Sequence, residues 1–420
     1  MTGPGETGIF IEHLFRHQAG RVVARLTRVL GPTHVALAEE SVQEAMVRAL
    51  QTWPYQGVPD NSAGWIFRVA HNVAIDAIRR ETVFGEKTEA LVAELTRSAG
   101  VSLTEPDVEE RLRDDELRMI FMCCHPALAR DARVALSLKT IGGFSVREIA
   151  RAFLAEDSAI AQRLVRAKRQ IRDQRLTLDL PSGAELAARL DSVLEVLYFM
   201  FNEGYAAGEG EDLIRQDLCL EALRLGRLVA SASIATPRVH ALVALMALQG
   251  ARLPARVDEA GELVLLEDQD RSRWDSRLIA MGFAHFDRCI AGEEVSEYHV
   301  QAAIAATHAR AVDPGTVDWP VILTLYDQLL ALNSSPVVRL NRAVVVARVH
   351  GPSAALAAIA GLDTDPRLRT YHLLMSVRGQ LLFDLGRTKE AADAFTAALH
   401  HTRNEAERRF LRRRIQACTT

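Results

Sequence analysis

The chain has 420 residues, too many for one ordinary core, so two or three domains are expected. A hydrophobic share of 49% with only 6% aromatics, abundant Ala, Leu, Val and Arg, and few alternating segments point to an all-α protein. The net charge of −4 conceals strong local asymmetry, and neither a metal nor a cofactor is expected, since no metal-ligand spacing is present. The five cysteines, Cys123, Cys124, Cys219, Cys289 and Cys418, have no metal-ligand spacing, and Cys123-Cys124-His125 reads as buried helical thiols. The longest apolar run, near Val196–Phe201, is far short of a membrane span, and no signal peptide is evident. A reduced, cytoplasmic protein follows from these readings.

In chain order, Phe10–Leu30 predicts a helix closed by Gly31-Pro32. A second helix is expected over His34–Thr52, with Val42, Ala45, Met46 and Ala49 inward and Glu39, Glu40, Gln43, Glu44 and Arg48 outward. The stretch WPYQGVPDNSAG, Trp53–Gly64, reads as a loop because Pro54, Gly57, Pro59 and Gly64 interrupt helix, and it carries Trp53 and Tyr55. Trp65–Arg80 is a helix burying Ile66, Val69, Ala70, Val73 and Ala77, with Arg68, Asn72 and Arg79 on a separate strip. Loop and strip together offer aromatic stacking, an amide and guanidinium groups, which suits unstacked bases of a melted strand. The plainer reading places Trp53 and Trp65 in the core and the arginines in solvent.

Glu81–Glu116 is strongly acidic, with Glu86, Glu89, Glu94, Glu105, Asp107, Glu109, Glu110, Asp114, Asp115 and Glu116, and reads as a linker with a short helix near Glu89–Thr96. Helices are expected at Asp115–Cys124 and Asp131–Lys139. Two short helices follow in Phe144–Arg175. Val146, Ile149, Ala150 and Phe153 share one face of the first; Ile160, Leu164, Ala167 and Ile171 share one face of the second. The turn between them, Leu154–Asp157, forces these faces together, which is a helix-turn-helix layout. The opposite side of the second helix presents Ser158, Ala159, Gln162, Arg166 and Arg169, flanked by Arg163 and Lys168, a surface suited to phosphates and base edges.

The segments AEESVQEAMVRAL, Ala38–Leu50, and WIFRVAHNVAIDAIRR from Trp65 resemble region two of bacterial RNA polymerase sigma factors of the extracytoplasmic-function group. EIARAFLAEDSAIAQRLVRAKRQI, Glu148–Ile171, resembles region four of the same group. The resemblance implies RNA polymerase core and promoter DNA as partners. Glu40, Gln43, Glu44 and Arg48 would contact the clamp helices of the largest subunit, with region four near the flap. Trp53, Tyr55, Arg68, Asn72 and Arg79 would melt and read the minus-ten element. Ser158, Gln162, Arg163, Arg166, Lys168 and Arg169 would serve the minus-thirty-five element as duplex. Glu156 and Asp157 stand where the family commonly has a small hydroxyl residue. Acids there suit the helix dipole and repel phosphate.

The expected domains are region two at 1–81, an acidic tether at 82–114 that would occupy a basic polymerase channel, region four at 115–179, and a helical repeat domain at 180–420. Gly379, Ala391, Phe395 and Ala398 fall at tetratricopeptide positions, with Ala343, Ala355 and Ile359 repeating the pattern 36 residues earlier. With FNEGYAAGEGEDLIRQD from Phe201 and LLEDQDRSRWD from Leu265, these resemble the sigma subgroup carrying a C-terminal tetratricopeptide-like extension. That extension would control the sigma domains by intramolecular contact. Two rivals are weaker. A helix-turn-helix regulator working without polymerase leaves Ala38–Arg80 unexplained. An enzyme built on Glu203, Glu211, Asp212, Asp268 and Asp270 lacks a general-base histidine, so a non-catalytic factor is expected.

Overall fold

The computed structural model describes residues 18–81, 105–153, 155–205, 209–210, 215–259, 262–369 and 371–419. The start of the first expected helix, the short helix at Glu89–Thr96, the acids Glu86, Glu89 and Glu94, and Glu211 and Asp212 lie outside the described residues. The fold is all-α. Among the described residues the only paired strands are Glu209–Gly210 and Arg403–Asn404, two residues each and parallel. The chain forms two compact units, Met1–Val196 and Leu197–Thr420.

In the N-terminal unit, α1 (18–30) leads through Gly31, at φ 89°, into a short turn and then α2 (Val35–Gln56). Helix α2 buries Val35, Ala38, Val42, Ala45, Ala49 and Trp53 at three- and four-residue spacing. It therefore runs four residues beyond the expected Thr52, carrying Pro54 inside its last turn and ending where Gly57, at φ 83°, donates its N–H to the Trp53 carbonyl at 2.9 Å. The expected loop shrinks to 57–61. Helix α3 (Ser62–Glu81) starts where the Asn61 side chain accepts from the Gly64 N–H at 2.7 Å. Its buried stripe is Ile66, Ala70, Ala74, Ile75 and Ile78, whereas Val69, Val73 and Ala77 are only half-buried.

Helix α4 (Glu105–Cys123) begins ten residues before the expected Asp115 and takes in the end of the acidic stretch. Asp115 and Glu116, the last acids of that stretch, are buried partners of α1: Arg25 lies 3.0 Å and Arg28 3.4 Å from Asp115, and Arg21 3.3 Å from Glu116. Burial pushes the Asp115 carboxyl up, and the two arginines act against that shift. Helices α5 (Arg130–Thr140), α6 (Val146–Ala152) and α7 (Asp157–Asp173) complete the region. Helix α8 (Ala184–Tyr205) gives its first half to this unit and its second to the next.

The C-terminal unit continues through α9 (Gln216–Ser231), α10 (Pro237–Gly250), α11 (Ser276–Cys289) and α12 (Glu297–Arg310). It ends with α13 (Trp319–Leu332), α14 (Pro336–His350), α15 (Pro352–Ala358), α16 (His372–Asp384), α17 (Thr388–His401) and α18 (Glu405–Ala417). Helix α10 is apolar all round, Val239 and Ala241–Leu248 being buried, so it forms the centre of the first half. In the second half, consecutive helices stack through successive apolar clusters. One joins α14, α15 and α16 around Leu340, Ala343, Ala355 and Leu374; the next joins α16, α17 and α18 around Ala391, Phe395, Ala398 and Leu411.

Gly379 shows why a small residue is needed in this stack. A Cβ there would meet the Phe395 ring at 2.8 Å, and Phe395 is fully buried. Gly379→Ala should therefore cost the C-terminal unit about 1–3 kcal/mol, read as a lowered urea midpoint.

Candidate nucleic-acid interface

Helix α6 is fixed at its start by a reciprocal cap: Glu148 N–H donates to Ser145 Oγ at 3.1 Å and Ser145 N–H to Glu148 Oε2 at 2.7 Å. The chain turns through Ala155, whose N–H reaches the Ala150 carbonyl at 2.9 Å, into α7. Ile160, Leu164, Ala167 and Ile171 of α7 are all buried. That leaves Ser158, Gln162, Val165, Arg166 and Arg169 exposed along one side of the helix. Glu156 occupies the N-cap position without a side-chain cap bond, and Asp157 lies in the first turn.

Two flanking residues stand apart from that face. Arg163 is drawn to Asp131 of α5 at 3.8 Å. Lys168 is not on the exposed face: its ammonium lies 2.5 Å from Glu39 Oε2 of α2, and the same carboxylate accepts from Thr140 Oγ1 at 2.8 Å. Glu39, expected on the outward side of α2, is only 6% exposed. Arg169 is open to solvent, 3.3 Å from Asp173.

On α3, Arg68, Asn72 and Arg79 are all exposed. Asp76, which the sequence reading passed over, is exposed one turn beyond Asn72, so the strip is less uniformly cationic than expected. Of the aromatics, Tyr55 is 90% exposed, but Trp53 is 3% exposed and packs edge-on against Trp65 with ring centroids 5.4 Å apart. Trp53 thus belongs to the core of the α2–α3 pair, and its ring is covered rather than offered to a base.

Glu40, Gln43, Glu44 and Arg48 are exposed on α2, with Arg48 bonded to Glu44 at 2.9 Å. Val47 and Leu50, 48% and 51% exposed, lie on the same open side.

The remaining candidates are scattered along the chain. Cys123 and Cys124 are buried, and desolvation pushes the Cys124 thiol up to about 11. Asp270 caps the turn at Arg271–Arg273 by accepting from the Ser272 N–H at 2.9 Å, and Asp275 caps α11. Asp268 is exposed, and Glu203 sits in surroundings that raise its carboxyl by desolvation. No group of three or more His, Cys, Asp or Glu among the described residues is placed to hold a metal ion. No helix among them is long and apolar enough to cross a membrane.

Residues 14–83 match the family Sigma-70 region 2, and residues 118–171 match Sigma-70, region 4. A Rhizobium meliloti (strain 1021) protein described as Uncharacterized protein R00370 is 41% identical over 384 residues, 90% of this chain and 89% of its own length. A Mycobacterium tuberculosis protein described as Probable ECF RNA polymerase sigma factor SigI is 28% identical over 174 residues, 39% of this chain and 59% of its own. Two sigma-70 regions therefore stand in order within the first 171 residues of the chain. Helices α2 and α3 fall in the region 2 match, and α5, α6 and nearly all of α7 in the region 4 match. Residues 189–290 match a family of unknown function, DUF6596. No solved structure matches the chain.

Proposed function

We propose that this chain is an alternative sigma factor that binds RNA polymerase core and directs it to a promoter, with a C-terminal helical extension, tetratricopeptide-like in its last repeats, that governs the activity. The observation that carries this reading is the pair of exposed polar faces on one chain. Helix α7 presents Ser158, Gln162, Arg166 and Arg169 on a helix-turn-helix, and α3 presents Arg68, Asn72 and Arg79. Helix α7 suits duplex, since Gln and Arg can pair with adenine and guanine edges in the major groove. The α3 strip, with Tyr55 nearby in sequence, suits a separated strand. The open side of α2, with Glu40, Gln43, Glu44, Val47, Arg48 and Leu50, is the surface for the clamp helices of the largest polymerase subunit.

The test is reconstitution with core polymerase and a map of transcription starts. The full chain should co-elute with core and direct starts at a defined set of promoters. Gln162→Ala or Arg166→Ala should weaken promoter binding by about 1–3 kcal/mol, roughly fivefold to 150-fold, and relax specificity only at the bases of the upstream element. A protein that footprints free duplex but does not bind core would instead be a conventional regulator, and this reading would fall.

A further inference from the structure

The C-terminal unit contains a cavity of about 860 Å³, walled by α12, α13, α14, α16 and α18 on one side and by residues 263–271 on the other. That volume lies in the range of roughly 300–1,000 Å³ usual for small-molecule sites. Much of the wall is apolar or aromatic, including Trp319, Val344, Leu373 and Phe410. Val344 and Leu373 are each 39% exposed, so their side chains are only partly covered.

The polar groups of the wall are not balanced. Its carboxylates are engaged: Glu267 with Arg348, Glu407 with His372 at 2.9 Å and Thr402 at 2.5 Å, and Asp384 with Gln380 at 2.7 Å; the fourth, Asp268, is exposed to solvent. The buried polar atoms of the wall without a hydrogen-bond partner are nitrogens: Arg271 Nε, His308 Nδ1, Arg414 Nε and His372 Nε2, of which the last lies beside the Glu407 carboxylate. Arg271 and His308 are neighbours, since Arg271 Nη1 donates to the His308 carbonyl at 2.7 Å and to the Ala311 carbonyl at 2.9 Å. Each is also held by an aromatic ring. Arg271 lies 4.6 Å over Trp274, and the His308 ring stands edge-on to Trp319 at 5.4 Å. A pre-positioned N–H left without an acceptor in a partly dry site is destabilising until one arrives. Burial lowers the His308 pKa to about 4, so the neutral ring can present one N–H.

We propose that this cavity binds a small apolar carboxylate, with its hydrocarbon body against Trp319, Val344 and Leu373 and its carboxylate accepting from Arg271 Nε and His308 Nδ1. A through-running peptide fits less well. Glu267 is tied to Arg348 of α14, and Glu262 to Arg409 and Arg413 of α18. The segment around 262–271 is thereby strapped to two helices of the wall. The proposal does not rest on the transcriptional reading, because binding itself is the readout.

The test is calorimetric titration of the full chain with decanoate and 2-naphthoate, and with decanol and 2-naphthol as uncharged counterparts. At least one carboxylate should bind saturably at one site, tenfold or more tighter than its alcohol, and raise the melting temperature. His308→Phe keeps the ring against Trp319 and removes the N–H, so it should cost fivefold or more for the acid and leave the alcohol unchanged. Val344→Trp, at a half-open position, should fill the space and abolish binding of both; melting curves of both variants verify that they fold. Neither carboxylate saturating by millimolar concentration, equal affinity for acid and alcohol, or unchanged acid binding in His308→Phe would each overturn the assignment.

Discussion

Replacing Lys168 by methionine should destabilise the N-terminal unit by about 3–5 kcal/mol, the cost usual when one partner of a buried ion pair is removed. Glu39 is 6% exposed, and its carboxylate is held by the Lys168 ammonium and the Thr140 hydroxyl. Without Lys168 a single neutral donor faces a desolvated charge. Glu39→Met together with Lys168→Met removes both charges at nearly conserved volume, and should recover most of the loss. Urea unfolding of the three variants reads both effects. If Lys168→Met unfolds as the parent does, the pair is solvated and contributes nothing. A separate close approach ties α1 to the end of α5, since a Cβ on Gly20 would collide with the Ile141 carbonyl oxygen.

The pair also shows where sequence reasoning stops. Ile160, Leu164, Ala167 and Ile171 were legible as a buried face because helical periodicity is local and packing obeyed it. The exposure of Arg68, Asn72, Gln162 and Arg166 follows from the same periodicity. Lys168 falls on the flank of that pattern, where a cation ordinarily reaches solvent, and its partner is 129 positions away. The burial of Asp115 and Glu116 is hidden from local patterns for the same reason: the arginines that make it tolerable lie in α1. Trp53 was misplaced by Pro54. Proline inside a helix forfeits one backbone bond and ordinarily marks a boundary, but here the gain from packing Trp53 on Trp65 carries α2 past it to Gln56. Tertiary contacts decide such cases, and one-dimensional patterns do not contain them.

The end of the N-terminal unit yields the largest expected effect. A chain cut after Thr177, near the end of the region 4 match, should not retain a stable sigma unit, because the first half of α8 is part of its core. Leu190, Val193 and Leu194 are buried there, and burying each contributes about 1.5–3 kcal/mol. Arg189, 7% exposed, donates to the Phe121 carbonyl at 2.9 Å, and Ser192 Oγ donates to the Cys124 carbonyl at 2.5 Å, satisfying the C-terminal end of α4. Arg133 reaches back from α5 to Ser192 and to Glu195, the latter at 3.2 Å. The truncation removes all of this at once, a loss of roughly 5 kcal/mol or more, comparable to the whole stability of an ordinary domain. In the full chain, Arg189→Ala alone should cost about 2–3 kcal/mol by leaving the Phe121 carbonyl buried and unpaired. A cut after Tyr205 spares these contacts, so comparing promoter-directed transcription and melting of the two truncated chains separates loss of the extension's control from loss of folding. If the chain ending at Thr177 melts cooperatively at the same temperature as the one ending at Tyr205, α8 contributes nothing to the unit and the boundary belongs before it.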